Sequence, residues 1–237
     1  MQNITCIYHS NCVDGTTAAA VVLRKYPQAQ LFPLSHGYTE EAIGEILSQT
    51  PHDAHIYIVD ATLGIHEFIE RGHTITVIDH HISAHDDMHT IAAAHGTVTY
   101  IFDNTKSGAS LTWSYLFPHD ELPEIIRYVE DSDLWKQEFG TVTKDVNHYL
   151  SIWRNNPAQV LTYLDGDIEA LKERGAIISE YTDRAIAHLV EIAPLTLRIG
   201  THTVRAFNIT DHESACGNIL SLQHNEAVAL FSIKATK

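Results

Sequence analysis

The sequence predicts an α/β protein with a parallel sheet, and three features carry this prediction. Short apolar runs such as Ile56–Asp60 and Thr74–Asp79 are typical of strands buried on both faces of a parallel sheet. Helical patterns separate these runs through the first half of the chain. A long helical pattern at 168–192 then precedes a second set of short strand and helix patterns.

The individual elements follow from local periodicity and helix-end signals. Small residues at Thr16–Ala20 allow the first helix to pack closely, and Ser107 suits a helix N-cap. The segment Leu122–Leu164 is helical and interrupted by prolines. We predict strands at Ile4–Tyr8, Gln30–Leu34, Ile56–Asp60, Thr74–Asp79 and Val98–Phe102, and helices at about Gly15–Lys25, Thr39–Ser48 and Ser107–Phe117.

The domain organisation follows from the same patterns. Apolar residues recur near helical spacing through 168–192, and Pro194 follows where a helix commonly stops. Beyond it, TLRIG, TVRAFNI and AVALFSI are strand-like, with a helix before the last of them. We therefore predict a large domain at 1–166, a linker helix at 167–193 and a small α/β domain at 194–237.

Composition limits the classes of partner. The 237 residues include 15 Lys and Arg against 30 Asp and Glu, a formal charge of −15. Proteins usually bind long duplex nucleic acid through many basic side chains. The acidic composition therefore agrees better with a short nucleic acid or a small phosphorylated substrate. The chain lacks a signal-peptide pattern and an apolar run of the roughly 18 residues that span a bilayer. We expect a cytoplasmic protein without a membrane partner.

Acidic and histidine clusters follow several predicted strands. His9 to Gly15 comes after the first strand, Asp60 ends IYIVD, and Asp79-His80-His81 ends TITVID. A further cluster, Asp131-Ser-Asp133, lies in a helical segment. Any one cluster has an ordinary structural explanation, because an Asp after a strand is often a helix cap. Together they predict a ligand site, because parallel strands bring their carboxyl ends to one edge of the sheet.

Carboxylates with imidazoles, and no cysteine quartet, suit Mn²⁺ or a similar ion. Two such ions about 3.5–4 Å apart would hold a phosphoryl group and activate water. Asp60 is central and is the natural bridging carboxylate. Asp79 either orients the neighbouring His80 imidazole or binds metal itself.

Four segments resemble the motifs of the DHH phosphoesterase superfamily. VIDHH, with Asp79-His80-His81, matches the motif that names it. HSNCVDG resembles the first motif of a bacterial, oligoribonuclease-like branch, IVDAT the second motif and VEDSDLW the fourth. Order and spacing agree over roughly the first 135 residues, so 1–166 resembles the catalytic domain. The residues from 194 onward resemble the start of the family's DHHA1 substrate-binding domain.

The resemblance implies two Mn²⁺ ions, with Mg²⁺, Co²⁺ or Zn²⁺ as substitutes. It implies that Asp60 bridges them, that Asp79 belongs to the metal motif or lies behind it, and that His81 contacts substrate phosphate. Asp60, Asp79 and His81 are therefore the expected catalytic residues. Asp131 is preferred to Asp133 by register with the family motif, and Asp133 is kept as an alternative ligand. The expected metal ligands are His9, Asp14, Asp60, Asp79, His80 and Asp131.

Two departures from the family pattern bear on function. Cys12 stands where most members have an aspartate, so it is either a ligand or a small packing residue. The family's Gly-Gly-Gly-His loop is missing, and the sequence contains no Gly-Gly pair. The leading hypothesis is hydrolysis of short oligonucleotides or small phosphodiesters. The alternatives are a nucleotide-bisphosphate or polyphosphate hydrolase, and a protein that binds a phosphate ligand without cleaving it.

Overall fold

The computed structural model describes residues 2–232 and confirms the predicted α/β class. The chain divides within one helix into two compact units, Met1–Ala176 and Ile177–Lys237. The predicted boundaries at 166 and 193 stay predictions, as does the DHHA1-like assignment of 194–237. Residues 233–237, which include the end of the predicted strand AVALFSI, lie outside the described residues.

The first unit contains a five-stranded parallel sheet in the order β2-β1-β3-β4-β5. All five strands were predicted from their apolar runs, with ends within one residue of those observed. The strands are β1 (Ile4–His9), β2 (Gln30–Leu34), β3 (His55–Val59), β4 (Thr74–Asp79) and β5 (Val98–Phe102).

Helices cover both faces of this sheet. One face packs on α2 (Glu40–Gln49), α3 (Ile65–Glu70) and α4 (His85–Ala94), with Phe68 and Met88 among the buried residues. A 3₁₀ turn, Ile82–Ala84, precedes α4. The predicted elements include α2 but neither α3 nor α4, because α3 is very short and α4 buries only Met88 within its own span.

The opposite face packs on α1 (Val13–Lys25) and α5 (Gly108–Leu116), which also pack against each other. Ala18, Ala19 and Ala20 are fully buried in α1, and their small side chains permit this close packing. Ser107 caps α5 as predicted, because its hydroxyl accepts a hydrogen bond from Ser110 N at 3.3 Å. The proline-interrupted region forms α6 (Glu124–Asp133), α7 (Thr141–Ser151) and α8 (Pro157–Leu164).

The second unit has a small core of its own. The long helix α9 (Ile168–Leu189) enters it, and the unit continues with β6 (Leu195–Ile199), β7 (His202–Asn208), α10 (Glu213–His224) and β8 (Ala229–Phe231). β6 and β7 are antiparallel, whereas β7 and β8 are parallel. The core consists of Ile186, Phe207, Ile209, Cys216 and Leu220. Within 2–232, no helix combines the length and apolar character needed to cross a membrane.

Glycine at position 15 is required by the contact between α1 and the end of β1. A Cβ atom there would lie 2.5 Å from the His9 carbonyl oxygen and 2.9 Å from the His9 Cβ. The first atom belongs to the backbone, so it cannot move aside without shifting the strand. Gly44 in α2 is the opposite case, because a Cβ would meet no atom within 4 Å.

We predict that Gly15→Ala destabilises the protein by about 1–3 kcal/mol, as overpacking of a well-packed interior does. Gly44→Ala, the matched control, should stabilise it by about 0.5–1 kcal/mol through helix propensity. Urea unfolding of both variants measures these changes. Equal stability of the two would show that α1 does not approach β1 as closely as described.

Candidate metal centre

The sheet order places a topological switch point at the carboxyl ends of β1 and β3. From β1 the chain moves outward to β2 and then returns past β1 to β3, so connections leave β1 and β3 in opposite directions. Ligands of open α/β sheets bind at such a switch point. His9 ends β1, Asp60 directly follows β3, and Asp79 ends β4. The three predicted clusters therefore lie at one edge of the sheet.

Asp60 is at the centre of this edge. Its backbone N–H donates to the Ile78 carbonyl at 2.9 Å, and its φ of 56° turns the chain away from the strand. Asp tolerates this left-handed conformation better than most residues. The side chain is 1% exposed, and its Oδ1 lies 3.1 Å from His80 Nε2.

The other Asp60 oxygen, Oδ2, lies 3.5 Å from His9 Nδ1. Both atoms are buried, and neither has a hydrogen-bond partner within the residues that the structure describes. Buried polar atoms are nearly always hydrogen-bonded. Two adjacent unsatisfied atoms such as these therefore indicate a binding position for a ligand or a water molecule. Burial raises the pKa of the Asp60 carboxyl, but the contacts with His80 and His9 outweigh it and lower the pKa overall.

Asp14 is held by the start of α5. Its carboxylate accepts hydrogen bonds from Gly108 N at 2.6 Å and Ala109 N at 3.0 Å, the first amides of that helix. Burial and the charges of Asp60 and Asp133 nevertheless raise the pKa of Asp14 well above its usual value. A divalent cation among these carboxylates would remove this repulsion.

His80 Nε2 is surrounded by three carboxylate oxygens. They belong to Asp60 at 3.1 Å, Asp133 at 3.5 Å and Asp14 at 3.9 Å. One ring nitrogen cannot form good hydrogen bonds to all three. Asp14, His80 and Asp133 each offer a ligand atom, and these atoms lie within 4.8 Å of one another. The same limit holds for Asp60, Asp79, His80 and His81 as a second group.

Asp79 forms a hydrogen bond with His81, whereas the sequence offered His80 as the imidazole that Asp79 would orient. Its Oδ1 lies 2.7 Å from His81 Nδ1, and this hydrogen bond raises the pKa of His81 to about 9. Asp79 is buried, whereas the His81 side chain is 42% exposed. In the metal-free protein His81 is therefore a cation at neutral pH, and its partly exposed side chain lies beside the carboxylate cluster.

The structure places Asp133, and not Asp131, beside His80. The Asp131 carboxylate makes other contacts: it accepts hydrogen bonds from Glu138 N at 2.8 Å, Phe139 N at 3.4 Å and the Thr143 hydroxyl. The Asp133 side chain is 26% exposed, and burial and the Asp60 charge raise its pKa to about 6. The choice of Asp131 as a metal ligand stays a prediction, and Asp133 is the one of the two that lies beside His80.

Cys12 lies in the site, as its motif position suggested. His9, Cys12 and Asp60 each offer a ligand atom within 4.8 Å of the others. Burial, followed by the charges of Asp60 and Asp14, raises the pKa of the Cys12 thiol. Without a metal the sulfur is therefore protonated, and the structure is compatible with either reading of this residue.

Two features of the site were not predicted. A Cβ at Gly108 would lie 2.7 Å from Asp60 Cβ and 2.9 Å from Asp14 Oδ2, so only glycine lets α5 reach both carboxylates. The His36 ring lies 5.0 Å from the His9 ring, centre to centre. His36 follows β2, so the rule used for the other strand ends could have identified it.

Comparisons with known proteins give distant similarities. No family model matches the chain. A protein of Acanthamoeba polyphaga mimivirus, described as uncharacterized, is 22% identical over an alignment of 155 residues; the match covers 60% of this chain and 36% of that protein. The match thus spans little more than a third of that relative.

Two solved structures are similar over nearly the whole chain. An uncharacterized protein from Helicobacter pylori has a TM-score of 0.48 and 14% identity, covering 96% of this chain and 81% of that one. RecJ from Thermus thermophilus, solved in complex with Mn²⁺, has a TM-score of 0.48 and 12% identity, covering 98% of this chain and 43% of that one.

We predict that Asp79→Asn lowers the pKa of His81 from about 9 toward the unperturbed value of roughly 6.5, because the charged hydrogen-bond partner is lost. Proton NMR titration of the metal-free protein measures this change. His55, whose pKa is lowered by burial, is the internal control and should not respond. An unchanged His81 pKa would contradict the Asp79–His81 contact.

Proposed function

We propose that the protein is a metal-dependent phosphoesterase that hydrolyses short oligonucleotides or small phosphodiesters at a site for two Mn²⁺-type ions. One observation carries the proposal: Asp60 Oδ2 and His9 Nδ1 are buried and adjacent, and neither forms a hydrogen bond with any part of the chain between residues 2 and 232. A metal ion between them would satisfy both. Carboxylate and imidazole ligands suit Mn²⁺, and Mg²⁺, Co²⁺ or Zn²⁺ are the substitutes to test.

The ligands divide into two sets that meet at Asp60. His9 and Asp60, with Cys12 as a candidate, form the first set. Asp14, His80 and Asp133 form the second, and Asp60 Oδ1 lies 3.1 Å from His80 Nε2. Asp60 would therefore be the carboxylate that both ions share. We choose Asp133 over Asp131 as the ligand from α6, because the Asp131 carboxylate already accepts hydrogen bonds from two backbone amides and a hydroxyl.

Bound divalent ions would supply Lewis-acid activation of water and of the phosphoryl oxygens. The residues of the chain position the substrate around them. His81 carries a positive charge, is fixed by Asp79 and is exposed, so it is suited to hydrogen-bond a phosphate oxygen as negative charge develops there. The amides of Gly108 and Ala109 already donate hydrogen bonds to the Asp14 carboxylate. They therefore fix the position of Asp14, a proposed metal ligand, and do not bind substrate directly.

The charge balance favours a short substrate. The formal charge is −15, and Lys136, near the end of α6, is paired with Glu130 at 3.0 Å. A long polyphosphate backbone would meet mainly acidic surface. Nucleotide bisphosphates, polyphosphate and pyrophosphate remain the alternative substrates, and binding without cleavage remains the alternative from another class. A panel of a dinucleotide, a 3′,5′-bisphosphate and pyrophosphate separates these possibilities.

We predict that Asp60→Asn abolishes turnover of every active substrate in that panel and lowers Mn²⁺ stoichiometry, because a neutral amide cannot bridge two cations. The fold should persist, since Asn also tolerates the left-handed backbone at this position. Hydrolysis rate and bound metal are measured on the same sample. Turnover by Asp60→Asn within a few-fold of the parent would rule out the bridging assignment. If the metal-loaded parent hydrolysed none of the substrates in the panel, hydrolysis of these substrate classes would be ruled out.

We also predict that Asp133→Asn and Asp131→Asn fail in different ways. Asp133→Asn should lose bound metal with little loss of stability, because it removes a charge that Asp60 repels. Asp131→Asn should keep its metal but lose about 1–3 kcal/mol, because an amide cannot accept all three hydrogen bonds. Metal analysis and urea unfolding of both variants provide the test. The reverse pattern would restore Asp131 as the ligand.

A further inference from the structure

Some non-glycine residues of the first unit have a left-handed backbone conformation, and Asp60 of the metal centre is one of them. Asn and Asp adopt this region fairly readily, but for a bulky residue it is a genuine outlier. Such strain persists only where the surrounding structure enforces it, and it clusters at functional sites. In the described part of the first unit, the non-glycine residues with positive φ are Asn11, Asp60, Trp135, Gln137 and Asn155. Among these, Trp135 is the residue whose conformation most needs an explanation.

Asp131 and the end of α6 hold Trp135 in this conformation. The backbone of Trp135 donates to Ser132 O at 3.1 Å, and that of Lys136 donates to Asp131 O at 3.0 Å. The Asp131 carboxylate also accepts hydrogen bonds from Glu138 N and Phe139 N, further along the same segment. The segment 134–140, which we call the α6 turn, is therefore tied to the same helix that carries Asp133.

The Trp135 side chain remains largely in water. It is 58% exposed, whereas Trp113 is buried and Trp153 is half-buried. Trp135 is two residues beyond Asp133, so their Cα atoms are at most about 7 Å apart. Asp133 Oδ2 lies 3.5 Å from His80 Nε2 in the carboxylate cluster. A large, exposed aromatic side chain on an anchored backbone is thus carried two residues from Asp133, a residue of the carboxylate cluster.

We propose that Trp135 is a stacking surface for a nucleobase of the substrate whose phosphate lies at the metal centre. This inference rests on the proposed phosphoesterase function and specifies its substrate as a nucleotide compound. Indole rings stack on all bases with little sequence preference, and each stacked base is worth about 1–3 kcal/mol. Trp135 would then favour nucleotides over pyrophosphate or sugar phosphates, which have no aromatic ring.

The test compares a dinucleotide with its abasic analogue, using the full chain loaded with Mn²⁺. Trp135→Ala should raise KM for the dinucleotide by about 5- to 150-fold, which is the stacking energy converted at 1.4 kcal/mol per tenfold. KM for the abasic analogue should stay within about twofold of the parent. Trp135→Phe should recover most of the affinity, because an aromatic face remains.

Tyr115→Ala is the matched control, since Tyr115 is also an exposed aromatic residue of the first unit but lies near the far end of α5. It should leave both KM values unchanged. If Trp135→Ala raised KM equally for both substrates, the inference would be overturned. Loss of the structure of the α6 turn, and not loss of stacking, would then explain the change. An unchanged KM for the dinucleotide in Trp135→Ala would also overturn the inference.

A binding measurement keeps this inference separate from the proposed function. Calorimetric titration with Mg²⁺ present compares 5′-AMP with ribose 5-phosphate, and neither titration requires turnover. Trp135→Ala should weaken 5′-AMP binding and leave ribose 5-phosphate binding unchanged. If the parent hydrolyses no phosphoester, the proposed function fails, while base-dependent binding through Trp135 would still support the stacking surface. Equal binding of the two ligands by the parent would refute it.

Discussion

The burial of the Asp14 and Asp60 carboxylates, each 1% exposed, is the constraint on which the rest of the site depends. Isolated buried charges are very costly, so each must be compensated. The α5 amides compensate Asp14, and His80 compensates one oxygen of Asp60, whereas the other Asp60 oxygen has no hydrogen-bond partner among residues 2–232. Gly15 and Gly108 are required because any side chain there would meet the end of β1 or these carboxylates. Even so, the burial and mutual repulsion of the acidic groups raise the pKa of Asp14, and a bound cation would relieve this.

The sequence was sufficient to predict the sheet and the edge that carries the site. Buried parallel strands have distinctive apolar runs, and their final residues identify His9, Asp60 and Asp79 directly. Which strand lies beside which depends on tertiary packing, so the position of the switch point was not predictable from local patterns. The same holds for the approach of α5 at Gly108, which no spacing in the sequence indicates.

The choice between Asp131 and Asp133 shows why helical residues were harder to predict. Residues two apart on a helix do not face the same way, so only one of the pair can face the cluster. Motif register favoured Asp131, but that carboxylate holds the amides of the α6 turn. Both acids therefore serve the site differently: Asp133 lies in it, and Asp131 shapes the backbone that follows. In the part of the chain that the structure describes, the candidate ligand groups all come from the first unit.

The most direct test of this account is a crystal structure of the protein grown with Mn²⁺, in which anomalous scattering locates the ions. The account predicts two peaks about 3.5–4 Å apart. Asp60 should contact both, with His9 at one ion and Asp14, His80 and Asp133 at the other. No peak at this edge of the sheet, or a single ion held without Asp60, would contradict it.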